Sequence, residues 1–153
     1  MKNIRRIKRQ FIILSVLRRN ARMSFLEISK STGLNVSTLM KNVQDLSKEL
    51  IKKYSCIVDF SKLGFKFNVI FLVKASKEKR VEISKLLEQP NVNNAYKVND
   101  DFNYYIEAVF PDVNSYDNFK RALKSCSDCL LEFFVVEEII KEGFLEKGIP
   151  LEK

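Results

Sequence analysis

Histidine and tryptophan are absent from this chain, and glycine (4), proline (3) and cysteine (3) are sparse among its 153 residues. Without an imidazole there is no Ser-His-Asp triad, no histidine base and no histidine metal ligand. Cys126 and Cys129 have C-x-x-C spacing, but tetrahedral zinc needs two further ligands and none stands nearby in sequence. The thiols are therefore read as reduced and structural. A redox pair, or a metal shared across a subunit interface, is the alternative. No catalytic residue, resident metal or cofactor is expected. No apolar run approaches the roughly eighteen residues that span a bilayer. Residues 11–17 follow a basic stretch as a signal peptide would, but Arg18, Arg19 and Arg22 replace a small-residue cleavage site. A cytoplasmic protein without a membrane partner is the expectation.

Acidic residues are scarce in one part of the chain. Residues 1–53 hold 13 Lys/Arg against 3 Asp/Glu, whereas residues 54–153 hold 14 against 16. The whole positive excess of the +8 net charge thus belongs to the first third. A solvated basic face is the ordinary origin of lysines on a helix, but it gives no reason for such concentration. Neutralising a phosphate backbone does.

Within that basic third, residues 24–50 read as a helix-turn-helix, with the turn at Thr32-Gly33-Leu34. Ser24 followed three residues on by Glu27 is a capping box for the first helix of the pair. Asn35 or Ser37 is placed to cap the second. Val36, Leu39, Val43, Leu46 and Leu50 recur at intervals of three and four, which predicts one buried face. The opposite face carries Ser37, Thr38, Lys41, Gln44, Asp45 and Lys48. Short polar side chains and lysines on an exposed helix suit a major groove. An amphipathic hairpin with no ligand would show the same spacing, so the charge asymmetry decides for double-stranded DNA. The expected base-reading residues are Ser37, Thr38, Lys41 and Gln44, with Asn35 and Asn42 on the same helix. Arg22, Lys30, Lys48, Lys52 and Lys53 are expected on phosphates. A further helix over 4–20, with Ile4, Ile7, Phe11, Leu14, Ile13 and Leu17 inward, supports the pair, and its basic start is placed to run along phosphates.

After an extended linker the periodicity changes. Strands are predicted over 66–74, 94–99, 103–110 and 130–137, with helices over 77–89, stopped by Pro90, and 113–125. The first of these helices is expected to bury Val81, Leu86 and Leu87. The order βαββαβ implies a ferredoxin-like sheet with both helices on one side. The fold class is therefore α+β. A helix-turn-helix domain (1–53) joins through a linker (54–64) to a βαββαβ sensing and oligomerisation domain (65–153). The first and last strands read as apolar on both faces, so something must cover the second face. A second copy of the sheet is the simplest cover, with Phe71, Phe133 or Val135 in the contact.

These segments resemble the Lrp/AsnC (feast/famine) family of prokaryotic transcription regulators, of archaeal type. The resemblance rests on residues 13–24, 27–46, 50–64 and 98–110, and most specifically on Tyr54, Asp59, Leu63 and Gly64 of the linker. It implies a DNA-binding regulator that forms homodimers and octamers, with small effectors between subunits. Asn42 stands where the family has arginine, which bears on the operator. In the effector loop, Asn99, Asp100, Asp101 and Asn103 are the candidate contacts. Asp100 replaces a glycine and Asn103 an acidic residue of the family pattern. Two carboxylates beside an incoming carboxylate oppose it, so ordinary α-amino acids are expected to bind weakly. The loop then serves assembly alone or takes a cationic ligand; the alternative is that Asp100 points into solvent and changes nothing. Two other functions compete: a chromatin-like architectural protein with little sequence preference, and a siroheme decarboxylase-like enzyme, which the missing histidine disfavours.

Overall fold

A computed structural model describes residues 2–99 and 101–145, with side chains from residue 5 onward. Contacts divide the chain into two compact units, one of residues 1–57 with 140–153 and one of residues 58–139. The sequence division placed joints after residues 53 and 64 and kept 140–153 with the sheet. Here the described residues 140–145 group with the helices, where Arg18 binds the Glu142 carboxylate at 2.9 Å and Leu145 is buried.

The helical unit comprises α1 (Lys2–Arg19), α2 (Phe25–Thr32) and α3 (Val36–Glu49). Local chemistry sets its turns. The Ser24 Oγ accepts the Glu27 N–H at 3.3 Å, and the Glu27 carboxylate accepts the Ser24 N–H at 2.7 Å, closing the capping box at the start of α2. The Ser24 hydroxyl also donates to the Glu27 carboxylate at 2.7 Å, and this bond, with the one from the Ser24 N–H, holds the Glu27 carboxyl below its usual range. Gly33 ends α2 at φ +69°, a left-handed conformation that costs glycine little. Asn35 occupies the cap position of α3, but its side chain makes no capping bond.

Ile13, Val16, Leu17, Ile28, Leu39 and Leu46 form the core of this unit, with Val43 packed partly against it. Three expected core positions are corrected: Ile7 (43%), Val36 (37%) and Leu50 (56%) are exposed. They lie at helix ends beyond the contact of the three helices, where periodicity continues but no neighbour remains to bury it. Val16 takes up the inward position that the sequence reading of α1 did not assign.

Residues 60–63 form a short 3₁₀ turn, closed where Leu63-Gly64 marks a turn in the sequence. The Asp59 carboxylate accepts the Ser61 N–H at 3.1 Å, and Gly64 closes the turn at φ +89°. The sheet unit then runs β1 (Phe67–Lys74), α4 (Arg80–Leu87), β2 (Val92–Lys97), β3 (Tyr104–Phe110), α5 (Val113–Ser125) and β4 (Cys129–Phe134). The strand order is β2-β3-β1-β4 with every neighbour antiparallel, the split βαββαβ arrangement expected.

The register sorts the two faces. Val69, Phe71 and Val73 pair with Ala108, Ile106 and Tyr104 across β3, and all six are buried in one core with Ile83 of α4 and Tyr116, Phe119 and Leu123 of α5. Phe71 is therefore wholly interior, which corrects its expected place in a subunit contact. Val81 is corrected too: it is 63% exposed, and Ile83 is buried in its place. Two residues at about 100° each turn Val81 to the far side of the helix once Ile83, Leu86 and Leu87 face the sheet.

The other face carries Ile70 and Leu72 of β1, Tyr105 of β3, Tyr96 of β2, and Leu131 and Phe133 of β4. Phe133 is 51% and Tyr96 55% exposed. One corner is polar, where the Glu107 carboxylate accepts the side-chain amides of Asn68 at 3.2 Å and Asn94 at 2.7 Å. The expectation that β1 and β4 are apolar on both faces is corrected at Asn68 and at Glu132. Glu132 points to the helices, where Tyr116 donates to it at 2.7 Å and Lys120 pairs with it. Burial pushes the Glu132 carboxyl up, but the bonds from Lys120 and Tyr116 outweigh it and hold the group below its usual range.

Candidate nucleic-acid interface

The first turn of α3 contains no acidic residue, and the Asn35 side chain leaves the backbone N–H groups of that turn uncapped. A helix start in this condition presents partial positive charge to an approaching phosphate. Leu39 and Leu46 are buried, so the rotation of α3 is set by the core. Ser37, Lys41, Gln44 and Lys48 face water, and Thr38 is half-buried at the same edge. These residues recur at intervals of three and four, giving a continuous strip along the helix.

Asn42 is half-buried, and its Nδ2 donates to the Thr38 carbonyl at 2.6 Å. Its amide group is thus partly engaged on its own helix. Asp45 is also half-buried. Arg22, Lys30, Lys52 and Lys53 are exposed, and among the described residues none of these four, nor Lys41 or Lys48, is in an ion pair. By contrast Arg6 meets Glu49 at 3.6 Å, at the C-terminal end of α3. Sequence reasoning missed Met40, which is 53% exposed on α3, and Leu26, 59% exposed on α2.

The effector-loop candidates separate in character. Asn99 and Asp101 are exposed, while Asp100 lies outside the described residues. Asn103 is half-buried and holds strands together. Its Oδ1 accepts the Ala75 N–H at 2.8 Å, its backbone N–H donates to Val73 at 2.8 Å, and its carbonyl accepts from Val98 at 2.9 Å. The carbonyl half of that side chain is already occupied.

Cys56, Cys126 and Cys129 are free thiols, and burial pushes the Cys126 thiol up. Among the described residues no helix is long and apolar enough to cross a membrane, and no cluster of acidic and cysteine side chains could hold a metal ion.

Residues 8–49 match the winged helix-turn-helix DNA-binding family. An HTH-type transcriptional regulator of Pyrococcus furiosus, itself uncharacterised, is 31% identical over 145 residues, covering 92% of this chain and 94% of that protein. The chain belongs to the Lrp/AsnC family of HTH-type transcriptional regulators. The transcriptional regulator AzlB of Bacillus subtilis is 33% identical over 70% of this chain and 71% of its own. The Lrp/AsnC fold extends to solved structures at lower identity. A transcriptional regulator of Neisseria meningitidis, solved as a complex with L-Met, superposes with a TM-score of 0.78 at 21% identity, covering 86% of this chain and 90% of that one. AsnC of E. coli gives 0.73 at 17% identity, covering 86% and 93%. As an Lrp/AsnC protein this chain is a DNA-binding transcriptional regulator, and its helix-turn-helix is the unit that matches DNA-binding domains.

Proposed function

We propose that the protein reads specific duplex sequences as a homodimer, with α3 in the major groove and the open sheet face joining the two copies. The observation that carries the reading is the exposed strip of α3 within a unit that holds all the excess positive charge. Ser37, Thr38, Lys41 and Gln44 reach base edges, with Asn35 and Asn42 at the start and side of the same helix. Arg22, Lys30, Lys48, Lys52 and Lys53 hold phosphates and fix register. Two-fold symmetry then matches a pseudo-palindromic site. Phe133, Leu131 and Tyr96 supply the apolar surface for pairing, with Val135 just beyond β4. Further assembly to an octamer would extend the contact between dimers. The experiment that tests the reading sets genomic duplexes selected by the protein against random duplex of equal length. An architectural protein would not distinguish them.

Effector control through residues 99–103 is the second element. One structural neighbour is described in complex with L-Met, but this chain places Asp101 at the loop and spends the Asn103 carbonyl on Ala75. Neutral α-amino acids should therefore bind weakly, whereas a cationic ligand is compatible with the loop. Thermal-shift screening checks this. A ligand at 100 times its Kd adds about 2.7 kcal/mol, which moves a melting point by several degrees. Leucine is expected to give no such shift. A clear shift, lost on changing Asn99 or Asn103, would contradict the reading of the loop.

A further inference from the structure

Ser37, Lys41 and Gln44 take the i, i+4 and i+7 places of one helical face, and the i+3 place of that face is Met40. Around the axis of α3, Met40 lies about 60° from Ser37 and about 40° from Gln44, at 3.6 residues per turn. The core does not take it up: Leu39, Val43 and Leu46 carry the packing of α3, and Met40 is 53% exposed. Val36, one turn earlier, is 37% exposed, so the two form a short apolar edge along the first half of the helix. A lone exposed apolar side chain is ordinary on a protein surface. This pair is distinguished by its place, alongside a strip whose other exposed members are a serine, a glutamine and lysines.

Charge selects what covers that edge. Residues 1–53 hold 13 Lys/Arg against 3 Asp/Glu, so a second helical unit of the same kind is repelled and a polyanion is drawn in. The base-edge groups in a major groove are hydrogen-bond donors and acceptors, with one apolar exception, the thymine 5-methyl. Met40 has no N–H or O–H to donate and only a weakly accepting sulfur, so it cannot do what Ser37 or Gln44 does there. Its unbranched, polarisable side chain adapts readily to an apolar partner.

We propose that Met40 is a specificity-determining residue that reads a thymine 5-methyl group, with Val36 flanking the contact. The assignment rests on the reading that places α3 in the major groove, and adds an apolar contact to the polar ones.

The test uses the full chain, a duplex it selects from the genome, and the same duplex with thymines replaced one at a time by deoxyuridine. That replacement removes the 5-methyl and leaves base pairing unchanged. Anisotropy titrations should find one thymine in each half-site whose replacement weakens binding about fourfold, the effect of exposing one buried methyl group, and about fifteenfold when both half-sites are changed. Met40→Gln, which keeps the length of the side chain, should lose the same factor on the thymine duplex and nothing further on the deoxyuridine duplex. Met40→Leu should retain most of the discrimination. Both variants should keep the wild-type circular dichroism and mass, because position 40 is exposed. Three results would overturn the proposal: no thymine sensitive to deoxyuridine, the same sensitivity in a folded Met40→Gln protein, or a changed oligomeric mass in that variant, which would give the edge to another copy of the chain. Equal binding of selected and random duplex by the wild-type chain is a different failure, that of the α3 reading itself, and the Met40 assignment falls with it. Sequence preference kept without any methyl effect removes the Met40 assignment alone.

Discussion

Lys41→Ala is expected to weaken duplex binding by about 1–3 kcal/mol, roughly 5- to 150-fold, if the lysine reads a guanine edge. The side chain is exposed in the middle of the α3 strip, with Leu39 and Leu46 fixing the helix beneath it. Its removal should leave the fold intact, because no ion pair among the described residues depends on it. The weakening should be concentrated at one position of the site, so substituting the base that Lys41 touches should cost the variant little more. Lys52→Ala and Lys53→Ala should behave differently, weakening all sequences alike and lowering the salt dependence. A dimer that neutralises about six to ten phosphates should show log K falling against log salt with a slope of roughly −5 to −9, and the slope should flatten by about 0.9 for every phosphate left without its lysine. Fluorescence anisotropy at several salt concentrations measures both quantities. Equal weakening on every sequence after Lys41→Ala would move that residue from base reading to phosphate binding.

The second large effect is expected from Phe133→Asp. Phe133 is 51% exposed in the protomer and lies on the sheet face away from the helices, paired across from Ile70. An aspartate there costs the isolated fold little, but in a symmetric sheet-to-sheet contact it buries two unpaired carboxylates. Breaking complementarity in this way is worth about 3–5 kcal/mol, roughly 150- to 5,000-fold in the dimer constant. Size exclusion with light scattering should show the wild-type chain at twice its 17.9 kDa mass or more, and the variant at 17.9 kDa. Circular dichroism should be unchanged. Phe71→Asp is the contrasting case: Phe71 is completely buried among Phe110, Tyr116 and Phe119, so that variant should unfold. A wild-type monomer at micromolar concentration would remove the role given to the open face.

Much of this architecture was legible because it is written locally. Ser24 with Glu27 and the glycine at position 33 announce their turn without reference to the rest of the chain. The span of α5 was read correctly because Tyr116, Phe119 and Leu123 repeat at helical spacing within it. What failed depends on neighbours. Val36 and Leu50 keep the apolar period of α3 but lie past the helices that could cover them. Phe71 was assigned to the wrong environment because an alternating strand shows that two faces exist, not which one receives the helices. The Asn103 clasp to Ala75 joins residues 28 apart, and Glu132 finds Tyr116 and Lys120 on an adjacent element. Neither partner is visible without strand register.

Competition between a duplex selected from the genome by this protein and a random duplex of equal length, at one physiological salt concentration, tests the central claim most directly. A sequence reader built on the α3 strip should prefer the selected duplex by about 10³-fold or more, as specific regulators do. A variant carrying Ser37→Ala, Thr38→Ala and Lys41→Ala together should lose most of that ratio while keeping its non-specific affinity within about tenfold, because phosphates supply the latter. Equal affinity of the wild-type chain for selected and random duplex would contradict sequence-specific reading by α3.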